Sequence, residues 1–103
     1  NIMGRAVVRL GDICTGHLCF PPRTSITAST NVFINGKGAV RGTNDNGPGD
    51  AWAVHVCDTD FHAGIQIGGS STVLVNGKPL ARIADAINCG SFCAMGSTNV
   101  FAG

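Results

Sequence analysis

Three short stretches of the chain alternate apolar and polar residues with a period of two, and they share a sequence. Residues 29–41 read STNVFINGKGAVR, residues 70–82 read SSTVLVNGKPLAR, and residues 97–103 read STNVFAG. Period-two alternation belongs to a β-strand with one buried face, and Asn-Gly directly after it marks a two-residue hairpin turn. Asn35-Gly36 and Asn76-Gly77 supply that turn in the two complete copies. The alternation assigns Val32 and Ile34, Val73 and Val75, and Val100 and Ala102 to the interior. It turns Phe33, Leu74 and Phe101 outward among Asn31, Asn35, Thr72, Asn76 and Asn99.

The repeats begin at Ser29, Ser70 and Ser97, so the first interval is longer than the second by about fourteen residues. The segment NDNGPGDAWAVHV has the Asn, Gly, Pro and Asp content of a loop, and the excess is placed in an insertion spanning residues 42–54. Trp52 is expected to cover a small core and, together with His55, to order this loop. Residues 1–8 are read as an N-terminal arm, with Met3 as the natural start after Asn1 and Ile2. The whole chain, 1–103, is then one all-β domain of short strands and turns with pseudo-threefold repeats.

Composition agrees with this and removes several function classes. The 103 residues include fifteen glycines, five phenylalanines, one tryptophan and no tyrosine, and 13% are charged. That is a glycine-punctuated strand protein rather than a helical one. A net charge of +1 offers no basic stripe to nucleic acid. The N-terminal NIMGRAVVRL lacks the apolar core of a secretory signal, and no run approaches the roughly 20 apolar residues of a membrane helix. A chain this small buries a modest share of its surface, so a staple is expected. Five cysteines are an odd number for a closed disulfide framework, and without a signal peptide reduced thiols are the default.

The staple is sought in VHVCDTDFHAG, residues 54–64. His62 stands eight residues before Ser70 and Cys89 eight before Ser97. His17 stands twelve before Ser29, with the bend FPPR absorbing the difference. Wound about a common axis, these three donors converge. His55, the remaining histidine, completes a set of three imidazoles and one thiolate, which suits four-coordinate structural zinc. Cys57, two residues away, is the alternative fourth donor. Asp12, Asp58 and Asp85 precede the three by five or four residues and serve either as acceptors for ligand N–H groups or as ordinary turn residues. Cys14, Cys19, Cys57 and Cys93 are otherwise expected as small buried hydrophobes or partly exposed thiols.

GDICTGH near the start, the paired STNVFINGK and SSTVLVNGK segments, FHAG, the CG at Cys89 and the closing STNVF together resemble the PAAR-repeat proteins. These cap the central spike of contractile injection machines, namely type VI secretion systems and the tails of T-even-like phages. The resemblance covers roughly residues 9–103. It departs from the repeat's usual proline and alanine at Gly38-Ala39 and Pro79-Leu80, and from GD at Ala84-Asp85. It implies a small cone with a sharp tip, stapled there by a metal ion on His17, His55, His62 and Cys89. The base of the cone would seat one copy of the chain on a homotrimeric β-helical spike through Phe33, Leu74 and Phe101. The expected role is a non-enzymatic tip, monomeric alone, made in the cytoplasm without a fused effector. It would sit at a phage tail tip or a secretion spike and meet the target envelope transiently.

Two rivals make different demands. A zinc enzyme keeps an open coordination position and a nearby base, for which Asp58, Asp60 or Asp85 would serve. A disulfide-stabilised secreted binding domain would need oxidised cysteines.

Overall fold

The computed structural model describes residues 4–103. The assignment of Asn1 and Ile2 as additions before Met3 falls outside these residues. Eight strands form: β1 (Arg5–Ala6), β2 (Phe33–Ile34), β3 (Lys37–Gly38), β4 (Ala51–Cys57), β5 (Asp60–Ile65), β6 (Leu74–Val75), β7 (Lys78–Pro79) and β8 (Phe101–Ala102). No helix occurs among the described residues, and the fold is all-β.

β2 and β3 form one hairpin and β6 and β7 another, with Phe33 opposite Gly38 and Leu74 opposite Pro79. Their turns have positive φ at both central residues, 56° and 78° at Asn35 and Gly36, and 53° and 77° at Asn76 and Gly77. This is the type I′ geometry that matches strand twist, and the Asn-Gly pair tolerates it best. The third unit is completed differently. β8 pairs with β1, Arg5 opposite Ala102, so residues 5–8, expected as an arm, act as its return strand.

The three units meet in a closed ring of backbone hydrogen bonds. Val8 N–H donates to the Ala81 carbonyl (2.9 Å), Ala81 N–H to Val40 (2.9 Å), and Val40 N–H to Val8 (3.0 Å). All three residues are fully buried. One side of the ring carries Val7, Ala39 and Leu80 packed with Ile34, Val75 and Ala102. The other carries Val8, Val40 and Ala81 packed with Cys14, Trp52, Ile87 and Cys93. Consecutive residues face opposite ways, so each strand feeds both layers. Ile34, Val75 and Ala102 are interior as expected, and Val32 and Val100 pack against them. Val73, at the equivalent place in the second unit, is more open, at 37% exposure.

A buried ion pair recurs in each unit. Arg9, Arg41 and Arg82 each place Nε 2.9 Å from one carboxylate oxygen of Asp12, Asp50 and Asp85, which also accepts the arginine's own backbone N–H. The second oxygen takes Nη2, giving the two-pronged geometry that makes such pairs strong. Two expectations change. Asp50, not Asp58, is the repeat aspartate, because the insertion separates it from Arg41 by nine residues where Arg9 and Arg82 need three. Asp58 lies exposed in the β4–β5 turn at φ 54°. The repeat aspartates also serve arginine, not the histidine ring N–H groups.

The insertion is likewise divided. The loop ends at Asp50, and residues 51–54 already belong to β4, which continues into a long hairpin with β5. Loop residues Asn44 and Asn46 donate to the Gly77 carbonyl, and Thr43 to that of Gln66, so the loop is held by its own polar contacts and not chiefly by Trp52 and His55. Trp52 is a core residue at 2% exposure. Its Nε1–H donates to Gln66 Oε1 at 3.0 Å, an oxygen that also accepts the Cys93 thiol at 3.1 Å. Burial pushes that thiol up to about 12, so it remains a protonated donor. Gln66 Nε2 satisfies the carbonyls of Gly68 and Ala86. A fully buried amide is tolerable because all its bonds are made.

Asp50→Ala leaves the half-buried Arg41 side chain and its backbone N–H without their partner and should destabilise the domain by about 1–3 kcal/mol in denaturant melts. Burial raises the Asp50 carboxyl, but the side-chain and backbone bonds from Arg41 and the bond from Thr27 bring it below the ordinary value of 3.8. A depressed carboxyl stabilises the fold fully above that ordinary value and loses the contribution as pH falls toward the folded one. Wild-type melting temperature should therefore drop below about pH 4, and Asp50→Asn should flatten part of that drop.

Candidate metal centre

Four side chains meet beyond the layer that holds Cys14, Trp52 and Ile87. Their ligand atoms, from His17, His55, His62 and Cys89, all lie within 4.8 Å of one another. Each is delivered by a different local device. His55 and His62 are directly opposite across the β4–β5 hairpin. His17 starts a tight turn in which His17 and Phe20 exchange both backbone bonds, at 3.1 and 2.8 Å. Gly16, at φ 69°, makes the entry to that turn possible, since a Cβ there would stand 2.5 Å from the Phe20 carbonyl oxygen. Cys89 sits in the turn between Ile87 and Ser91, and its Sγ passes Gly64 of β5, where a Cβ would come within 3.0 Å of the sulfur.

The imidazoles point the same kind of atom at one place. His62 Nε2 lies 2.9 Å from His17 Nε2 and 2.7 Å from His55 Nε2. The tautomer of His55 is fixed independently. Its Nδ1 is 2.9 Å from the Pro21 carbonyl, which can only accept, so Nδ1 carries the proton and Nε2 presents a lone pair. Burial, with His55 and His62 adding to it, lowers the His17 pKa and keeps that ring in its neutral, ligating form. Phe20 walls the group, its ring centroid 4.9 Å from His17, 5.0 Å from His55 and 4.3 Å from His62.

This donor set fits a metal ion. In a tetrahedral site with metal–nitrogen bonds of about 2.0–2.1 Å, two nitrogens are about 3.3 Å apart, a few tenths of an ångström beyond the spacings here. Three imidazoles and a thiolate fill such a site without water. The structure brings all four expected donors together. Register alone places His62 and Cys89 four residues before Gln66 and Cys93, and the matching place in the first unit is Pro21, four before Ser25. His17 reaches the site only because its turn doubles back, and Pro21 contributes its carbonyl instead.

Cys57, the alternative fourth donor, is bonded to Cys19, with their Cα atoms 5.6 Å apart. The expectation of reduced thiols is corrected for this pair: strand β4 ends with Cys57 facing the turn that carries Cys19. Cys14, Cys89 and Cys93 are free, and Cys14 and Cys93 are buried as small apolar residues. The bond was not legible in the sequence, although Cys19 and Cys57 each stand two residues after a histidine of the site. The same is true of Pro21 and Phe20.

At the opposite side of the layers, Phe33, Leu74 and Phe101 are 61%, 58% and 55% exposed. A polar belt links the units beside them. Ser97 donates to Asn35, Ser29 to Asn76, and Ser70 to the Gly103 carbonyl, one bond across each boundary.

With cobalt(II) as the probe, the wild-type chain should take up one ion and show the visible bands of a four-coordinate site with a thiolate charge-transfer band. Cys89→Ser should remove the charge-transfer band, and Cys57→Ser should keep it. His62→Ala should weaken binding by more than the roughly 10–100-fold that losing a merely supporting group costs.

The PAAR motif family matches residues 49–95, which contain three of the four donors. Among curated proteins, the NAD(P)(+) glycohydrolase toxin Tse6 of Pseudomonas aeruginosa strain PAO1 is 33% identical over 88 residues. The (p)ppApp synthetase toxin Tas1 of strain UCBPP-PA14 matches equally, also 33% over 88 residues. Each alignment takes 76% of this chain but 18% of the relative, so the chain spans less than a fifth of the length of the curated relatives it matches. With its three short-strand repeats and converging histidine and cysteine donors, the chain is a PAAR-repeat protein.

Proposed function

We propose that this chain is the non-enzymatic, zinc-stapled tip of the central spike in a contractile injection machine, a secretion system or a phage tail. The observation that carries the reading is one exposed apolar side chain per unit, Phe33, Leu74 and Phe101, around a pseudo-threefold axis. A single chain with that symmetry can meet the end of a homotrimer so that each subunit receives an equivalent contact. One copy therefore seats on three copies of a β-helical spike chain, and the metal-bearing end points away from the spike toward the target envelope.

The metal has a mechanical role in this reading. The ion joins the turns that carry His17 and Cys89 to the β4–β5 hairpin, and a structural zinc in a small domain contributes on the order of 10–16 kcal/mol of apparent binding energy that becomes folding energy. Zinc is the ion best suited to three imidazoles and one thiolate. Four protein donors leave no open position for substrate, which favours a structural over a catalytic site. The alignments leave about four-fifths of the two toxin relatives uncovered, and in this reading the chemistry in their names belongs to that uncovered part.

Phe33→Asp or Leu74→Asp should weaken binding to a trimeric spike protein by at least ~100-fold, about 3 kcal/mol, in a calorimetric titration, with zinc content and melting unchanged. The wild-type titration should saturate at one chain per trimer. Normal binding by both variants, or loss of metal in them, overturns the docking face. Elemental analysis should find one zinc per chain, and chelation should lower the melting temperature.

A further inference from the structure

We propose that the Cys19–Cys57 disulfide is a redox-set lock on the metal centre, closed by exchange with a small external disulfide and slowing loss of the ion. The proposal rests on the reading of the four donors as a metal centre.

The donors arrive on three separate segments: the turn with His17, the β4–β5 hairpin with His55 and His62, and the turn with Cys89. The His17 turn is open to solvent along its outer side. Leu18 is 96% exposed, and Cys19, Pro21, Pro22 and Arg23 are exposed as well. Its ties are the His17–Phe20 pair, the Pro21 carbonyl on His55, the bonds between Cys14 and Arg23 and between Thr15 and Phe92 at its base, and the bond from Cys19 to Cys57. Cys19 and Cys57 each lie two residues from a donor, His17 and His55, and their Cα separation of 5.6 Å is in the ordinary range for a bridge. The bridge therefore joins two of the three donor segments covalently, just outside the coordination sphere.

Release of a four-coordinate ion proceeds by one ligand leaving at a time. When His17 swings out of the reduced chain, only the Pro21 carbonyl and the bonds at the base of the turn hold it, and the tip of the turn can open away from the site. With Cys19 bonded to Cys57, the detached ring stays within a few ångströms at high effective concentration and returns before the next ligand leaves. Cys19 is exposed, so when reduced its thiolate can attack an external disulfide, and in the bridge its sulfur can be attacked by an external thiolate. Closing the lock takes two exchanges. The Cys19 thiolate attacks one sulfur of oxidised glutathione, forming a mixed disulfide and expelling one glutathione thiolate. The Cys57 thiolate then attacks the Cys19 sulfur and expels the second glutathione. Two protein thiols are oxidised, one glutathione disulfide is reduced to two thiols, and the two protein protons pass to the leaving thiolates. A tip assembled reduced would thus become locked on reaching an oxidising compartment.

The test uses the full chain loaded with zinc, once after equilibration with oxidised glutathione and once after dithiothreitol, with free reagent removed. Zinc transfer to excess 4-(2-pyridylazo)resorcinol is followed by absorbance, and zinc content and disulfide pairing are measured on the same samples. Oxidised wild type should release zinc on the order of tenfold or more slowly than reduced wild type. Cys19→Ser and Cys57→Ser should bind one zinc and release it at the reduced rate under both conditions. Equal release from oxidised and reduced wild type, each holding one zinc, overturns the lock while leaving the metal centre standing. So does a disulfide mapped to any other pair, or loss of zinc in Cys19→Ser or Cys57→Ser, which would make the pair ligands. Absence of zinc from every form overturns the metal centre and the lock with it.

Discussion

The ring of three backbone hydrogen bonds through Val8, Ala81 and Val40 is the constraint on which the rest of the molecule depends. Strands of two residues cannot form a sheet of their own, and a two-stranded hairpin is marginal in water. The ring solves this by making each unit the hydrogen-bonding partner of the next around an axis. Every other threefold feature is anchored to it: the Val7, Ala39 and Leu80 layer on one side, the Cys14, Trp52 and Ile87 layer on the other, and an Arg–Asp pair just beyond each member.

Symmetry of the backbone does not extend to the chemistry, and the departures are where the function lies. The first unit reaches the donor site with a doubled-back turn, the second with a long hairpin that carries two histidines, and the third with a cysteine in a short turn. A strict threefold site would offer three identical donors. The insertion in the second unit provides the fourth, His55, and with it a coordination number that a threefold scaffold does not naturally give. Its tautomer is then set by Pro21, a residue of the first unit.

Much of this was legible in the chain. The Asn-Gly turns and the inward and outward alternation around Phe33, Leu74 and Phe101 are local, because turn type and strand face depend on neighbours in sequence. His62 and Cys89 are legible because spacing from a repeated serine survives as register, whereas His17 depends on the FPPR bend and His55 follows as the remaining histidine. What escaped detection depends on chain segments far apart. β1 completes the third unit because only the assembled ring brings Arg5 beside Ala102. Asp58 mimics the repeat aspartate in sequence because the insertion hides the Arg–Asp spacing of the second unit, although RLGD and RIAD show it plainly in the other two. The Cys19–Cys57 bond needs the turn and the hairpin end in contact, which nothing in their sequences specifies.

The closure of β8 on β1 also determines the order of events in time. Residues 5–8 are made well before their partners, the strand at 101–102 and Ala81, which accepts from Val8. The ring cannot close before Ala81 is made, and the third unit stays incomplete until residues 101–102 reach β1. Completion of the fold therefore waits for the third repeat, and a topology dominated by such distant pairings folds slowly once it starts. Until then the strands that will become the first unit's neighbours are unpaired edges, and premature capture by another chain is the hazard the closed ring removes.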